Sequence, residues 1–171
     1  DTILSDLVAT PTMSADFLGS VIVSRYGESY GVRSSTTQSA LDLTIMDDLA
    51  TAIDNFTETV SPYWIELFRA RSRVQEFYYP EYVDLYHFAD IISKHASDAT
   101  IEDAAESLKD SINSTIISEF HGSGKAKSHG LAIYFPEEEN DFDNGHNGSV
   151  IDFPADTGWD EFLAWYYEAN L

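Results

Sequence analysis

Ser128-His129-Gly130-Leu131-Ala132-Ile133-Tyr134-Phe135-Pro136 is the stretch whose reading decides the fold. From Gly130 to Phe135 it is apolar on both faces, and Pro136 stops it. A strand without a polar side has to be covered on both sides. That predicts an α/β molecule in which helices supply the cover. Working outward, Gln38–Leu43 (QSALDL) reads as a second short strand. The segment between the two strands is helical in pattern, which favours a parallel pair joined by a crossover.

The covering helices are legible as apolar stripes. Asp1–Ala9 carries Ile3, Leu4, Leu7 and Val8, and Pro11 follows it. Ser14 reads as the N-cap of Ala15–Tyr26, with Phe17, Leu18, Val21 and Ile22 in line and Gly27 closing it. From Ile45 to about Thr59, Ile45, Leu49, Ile53 and Phe56 fall at the spacing of a buried face, with Thr44 as the candidate cap. Ser61-Pro62 is a start signal for a helix reaching about Phe77. Arg71 interrupts the apolar side of that helix, which predicts a partly buried, paired guanidinium. Val83–Ala96 reads as helical. Thr100 to Asp103 resembles a capping box that opens a helix reaching about Phe120. Thr157 caps a last helix, Gly158–Ala169. The balance is two or three short strands and about six helices in a single domain spanning residues 1–171.

Charge and composition narrow the chemistry. Thirty acidic residues against nine basic ones give a net charge of −21, which disfavours nucleic acid and favours cationic peptides as partners. No apolar run approaches the ~20 residues of a membrane span. The absence of cysteine removes disulfides, thiolate metal sites and thiol catalysis from this chain.

Five histidines occur, at positions 87, 95, 121, 129 and 146. None lies in a metalloprotease pattern, and His129, at the mouth of the central strand, is the best placed to act as a base. A Ser-His-Asp triad needs a strained serine elbow, and Gly122-Ser123-Gly124 lacks that context. The loop Glu137–Asn147 is rich in oxygen ligands, but no bidentate Glu completes a calcium register around Asp141, Asp143 and Gly145. Calcium is the one cofactor in view, and the solvated acidic loop is the favoured reading.

Several stretches taken together resemble the clostripain-like family of cysteine peptidases. They are Asp1-Thr2-Ile3-Leu4-Ser5-Asp6-Leu7, Ser39-Ala40-Leu41-Asp42-Leu43, and Ala70-Arg71 with Gln75 and Phe77. Tyr82-Val83-Asp84-Leu85-Tyr86 with Phe88-Ala89, Gly130 to Pro136, and Thr157-Gly158-Trp159-Asp160-Glu161-Phe162 complete the set. The resemblance implies a caspase-like α/β/α sandwich, with a largely parallel sheet and helices on both faces. It implies endopeptidase activity after Arg or Lys through a His/Cys dyad, frequent export to the exterior or cell surface, and in some members calcium dependence.

The family's catalytic His and Cys lie upstream of the matched region. No catalytic, cofactor-binding or metal-binding role is therefore carried onto any residue here. The implied part is the non-catalytic C-terminal portion, whose partners are the N-terminal catalytic half and basic peptide substrates. The alternative is a non-catalytic binding or cell-surface module on the same scaffold.

Overall fold

The computed structural model describes residues 2–169. Asp1, which the first expected helix includes, lies outside them. The architecture is α/β and helix-rich, with eight α-helices and two small antiparallel sheets among the described residues. The order is α1 (Thr2–Ala9), α2 (Ala15–Tyr30), β1 (Thr37–Leu41), α3 (Met46–Val60), α4 (Trp64–Arg71), β2 (Tyr82–Asp84), α5 (Leu85–His95), α6 (Ala99–Thr115), β3 (Ile116–His121), β4 (Ala132–Tyr134), α7 (Asp152–Asp156) and α8 (Trp159–Ala169).

The strand pairing corrects the sequence expectation. Gln38–Leu43 and Gly130–Phe135 were expected as parallel neighbours, but they contribute to different sheets. β1 pairs with β3, β4 pairs with β2, and both pairs are antiparallel. No parallel pair forms among the described residues. The reason lies in two segments read as helix. Ile116 to His121 continues the stripe of α6, yet it breaks out as β3. Its backbone finds partners along β1, from Thr37 opposite His121 to Leu41 opposite Ile116, with one irregularity at Ala40/Leu41. Gln75 and Glu76, expected inside a helix, instead pair backbones with Asp84 and Val83, so α4 ends at Arg71.

Helix starts follow local chemistry. Ser14 caps α2 by accepting from Phe17 N at 3.2 Å. The helix then runs past Gly27 to Tyr30, because Gly27 lies beneath the Phe120 ring, where a Cβ would sit 2.6 Å from Cδ2. Asp42 caps the short turn before α3, where Thr44 was expected to cap. Asp98, not Thr100, caps α6 through Thr100 N and Ile101 N. Asp84 caps α5. Gly158 N is held by Asp54 Oδ1 at 2.8 Å, which ties the start of α8 to α3.

Two assemblies result. In the first, α6 packs against α3 and α5, α8 lies on α3, and the β2–β4 pair closes the group. Its core runs from Leu49, Ile53 and Phe56 of α3 through Phe88, Ile101, Leu108 and Ile112 to Trp159 and Phe162. In the second, the β1–β3 ribbon is covered by α2, and α1 rests on α2. This second assembly is thin. Val23 is its one fully buried apolar residue, while Leu4 is 64% exposed, Val8 81% and Phe17 53%.

The two assemblies are fastened by Asp42 N donating to the Thr115 carbonyl and Ser39 Oγ donating to the Gly130 carbonyl. Gly130 is at φ +90°, and a Cβ there would sit 3.1 Å from that of Glu119 and 3.2 Å from that of Ser39. Only glycine combines that backbone with that clearance.

Candidate functional site

The site is built on the end of β2. Asp84 is fully buried and accepts three hydrogen bonds. His87 N donates at 2.8 Å, His129 N at 2.6 Å and Ser128 Oγ at 3.4 Å. One carboxylate thus starts α5 and fixes the segment that leads into β4. It also sets two histidines on either side of itself.

His87 is buried, and its Nδ1 accepts from Gln75 N at 2.8 Å. That contact fixes the neutral tautomer, so the ring proton sits on Nε2. Burial, reinforced by the Lys127 charge, lowers the pKa of His87. His129 stacks on Tyr86, with ring centroids 4.1 Å apart at 23°. Its Nδ1 donates to the Lys127 carbonyl at 3.0 Å and lies 3.7 Å from Asp84 Oδ1. The Asp84 carboxylate raises the His129 pKa, and partial burial opposes it.

These opposite shifts make a testable pattern. By NMR titration, His87 is expected to protonate below the ordinary value of about 6.5 and His129 above it. Between pH about 6.5 and the folded value of His129, the native state binds more protons, so its contribution is lost as pH rises. Below pH about 6.5 the unfolded chain protonates first at His87, so that contribution is lost as pH falls. The pair therefore stabilises the molecule most near pH 6.5. A single shared midpoint for the two rings would refute the assignment.

An open groove of about 510 Å³ lies beside this cluster, between α5 and the segment 126–129. Arg73, His87, Lys94, His95, Lys127 and His129 line it. Asp90 is its only carboxylate, and Lys94 and Lys109 hold it at 2.6 and 3.2 Å.

The arrangement is not a hydrolytic triad. Ser128 Oγ points to Asp84 and not to His129, and the one hydrogen-bond acceptor of the His129 ring is a backbone carbonyl. Ser123 lies in an exposed turn. His121 pairs with Glu119 at 2.9 Å, away from the groove. His95 lines the groove, while His146 lies elsewhere, stacked on Tyr134 at 3.8 Å with Nε2 2.7 Å from the Tyr82 hydroxyl.

His146 also borders a second cavity of about 210 Å³. Apolar residues, among them Leu49, Ile53, Leu131, Ile133, Phe153 and Trp159, form most of its wall. The acidic loop 137–147 folds into two short turns, with Asp143 Oδ1 accepting from Gly145 N. Among the described residues, no group of three or more His, Asp or Glu is placed to hold a metal ion. No described helix is long and apolar enough to cross a membrane.

Sequence reading singled out His129 and Arg71. It missed the groove, because Arg73, Lys94 and Lys127 lie on three separate segments with no shared spacing. The one available signal was chemical: Asp84 follows a β-branched residue and precedes the apolar stripe of α5, as an N-cap does. Comparison with known proteins adds no neighbour. No family model, curated protein or solved structure matches the chain.

Proposed function

We propose that this chain is the non-catalytic C-terminal portion of a clostripain-like cysteine endopeptidase that cleaves after Arg or Lys. Its role is to complete the catalytic sheet and brace the wall of the active site. The observation that carries this reading is the ordered set of resembling stretches, above all Gly130–Pro136 and Thr157–Phe162. The exposed second assembly supports it. β1 and β3 pair only with each other among the described residues, leaving an outer edge on each. Beside that ribbon, Leu4, Val8 and Phe17 present apolar surface to water. Unpaired strand edges and exposed apolar side chains are the features an upstream half would cover.

In this reading the upstream half supplies the thiolate that attacks the peptide carbonyl and the His that takes its proton. The charge of −21 on this half draws basic peptides toward the joined enzyme. The caspase-like sandwich, with parallel strands, belongs to the joined protein. So does placement outside the cell or on its surface, together with any calcium requirement.

The test assays Arg- and Lys-ending peptide substrates with this chain alone, then with the upstream coding segment co-expressed. Activity is expected only from the associated pair, and a thiol-alkylating reagent is expected to abolish it. Turnover by the isolated chain, or an upstream segment that lacks a Cys and does not associate, would overturn the reading.

A further inference from the structure

The cation-lined groove beside Asp84 is unlike the rest of this molecule. The chain has nine Lys and Arg and five His, and three of each line this one opening. With thirty carboxylates in the sequence, a cation has no shortage of ion-pair partners. Arg25, Arg71, Lys94 and Lys109 have taken them. Arg33, Arg69, Arg73, Lys125 and Lys127 form no ion pair among the described residues, and of these Arg73 and Lys127 line the groove. The one carboxylate present, Asp90, is already engaged by two lysines.

A second observation points at a ligand. His87 is 6% exposed, and its Nδ1 is occupied by Gln75 N, so its N–H is on Nε2. That Nε2 has no protein partner among the described residues, and the ring lines the groove. That nitrogen reaches solvent through the groove, unlike the fully buried unpartnered atoms His146 Nδ1, Asp160 Oδ1 and Tyr166 Oη. The ring thus presents an N–H in a groove that Arg73 and Lys127 also line. His129 adds a second imidazole, fixed by Tyr86 stacking on its face and by its backbone N–H on Asp84.

We propose that this groove binds an oxyanion of the phosphate class, held by Arg73, Lys127 and the His87 Nε2–H. A guanidinium fork, a point charge and an imidazole N–H together match a tetrahedral anion, which offers more acceptor directions than a carboxylate. The volume lies within the ~300–1,000 Å³ of small-molecule sites. It leaves room for an organic body beside the anion, along the Tyr86–His129 stack. The net negative charge of the chain opposes any anion at long range, so a bound anion depends on these short contacts and not on steering. The proposal does not rest on the peptidase reading, since none of these residues belongs to the catalytic dyad.

The experiment follows the imidazole NMR signals of His87 and His129 in this chain. Inorganic phosphate and then phenyl phosphate are titrated at constant ionic strength, with chloride as the control. Saturable shifts at both rings are expected for phosphate and none for chloride. Arg73→Gln and Lys127→Gln are each expected to weaken binding about tenfold. Arg69→Gln, exposed and outside the groove, is expected to leave it unchanged. Arg73 and Lys127 are both exposed, so the variants should keep the parent melting temperature, which reports their folding directly. Tighter binding of phenyl phosphate identifies an organic phosphate as the ligand, and equal binding identifies the free ion. Shifts that chloride reproduces, or unchanged affinity in both charge variants, would overturn the proposal.

Discussion

Phe135→Ala is expected to cost about 3–5 kcal/mol, a large share of the roughly 5–15 kcal/mol that keeps a native protein folded. The ring is fully buried and is the meeting point of the first assembly. Its centroid lies 5.3 Å from Phe88, 5.7 Å from Trp159, 5.9 Å from Phe162 and 4.9 Å from Tyr166. Each contact is close to edge-on, the arrangement aromatic quadrupoles prefer. These neighbours come from α5 and α8, so the cavity left by truncation would have walls on separate elements that cannot collapse together. Urea unfolding measures the effect. A loss under about 1 kcal/mol would show that α8 moves in to fill the space.

Arg71→Met is expected to lower stability by about 3 kcal/mol, although methionine suits a buried site in shape. Arg71 is 2% exposed and donates to the Phe135 carbonyl at 2.7 Å and the Pro80 carbonyl at 2.9 Å. It also pairs with Glu76 at 3.0 Å, and its guanidinium carbon sits 5.7 Å from the Phe135 ring centroid. Replacing a buried ion by an apolar side chain is often harmless when every partner goes with it. Here the partners include main-chain carbonyls that no substitution removes, and each is left without a donor. Glu76 is 43% exposed and regains water, so its charge adds little to the loss. The shift in urea midpoint at constant slope is the measurement. A change below about 1 kcal/mol would mean that water reaches both carbonyls.

These two residues show how far the sequence could be read. Arg71 was legible, because a charged residue inside an apolar stripe must be paired if the stripe is buried. Phe135 was legible as buried, but the strand expected to run from Gly130 to Phe135 spans only Ala132–Tyr134. Its role as the hub of four aromatic rings was not legible, because the rings stand on elements about 70 residues apart in sequence, from Phe88 to Trp159. His129 stood out as a single residue, and Asp84 only as part of the stretch Tyr82 to Tyr86. Their juxtaposition depends on β2 pairing with β4, a partner choice that spacing within either segment does not encode.

The sequence by itself determined the helices α3, α5 and α8 to within a few residues, and the start of α6, through stripes of period 3.6. It also determined the absence of thiol chemistry, through the absence of cysteine. Both are local or compositional facts. Only the tertiary structure decided which strands meet and in which direction. A strand's hydrogen bonds are made to another segment, so neither its existence nor its partner is written in its own residues. Ile116–His121 became β3 because β1 offered it a ladder, and it would otherwise have extended α6. The groove followed from the same choice at the other sheet. Once β2 and β4 paired, Arg73, His87, Lys127 and His129 came to face one opening, and their charges acquired a common address.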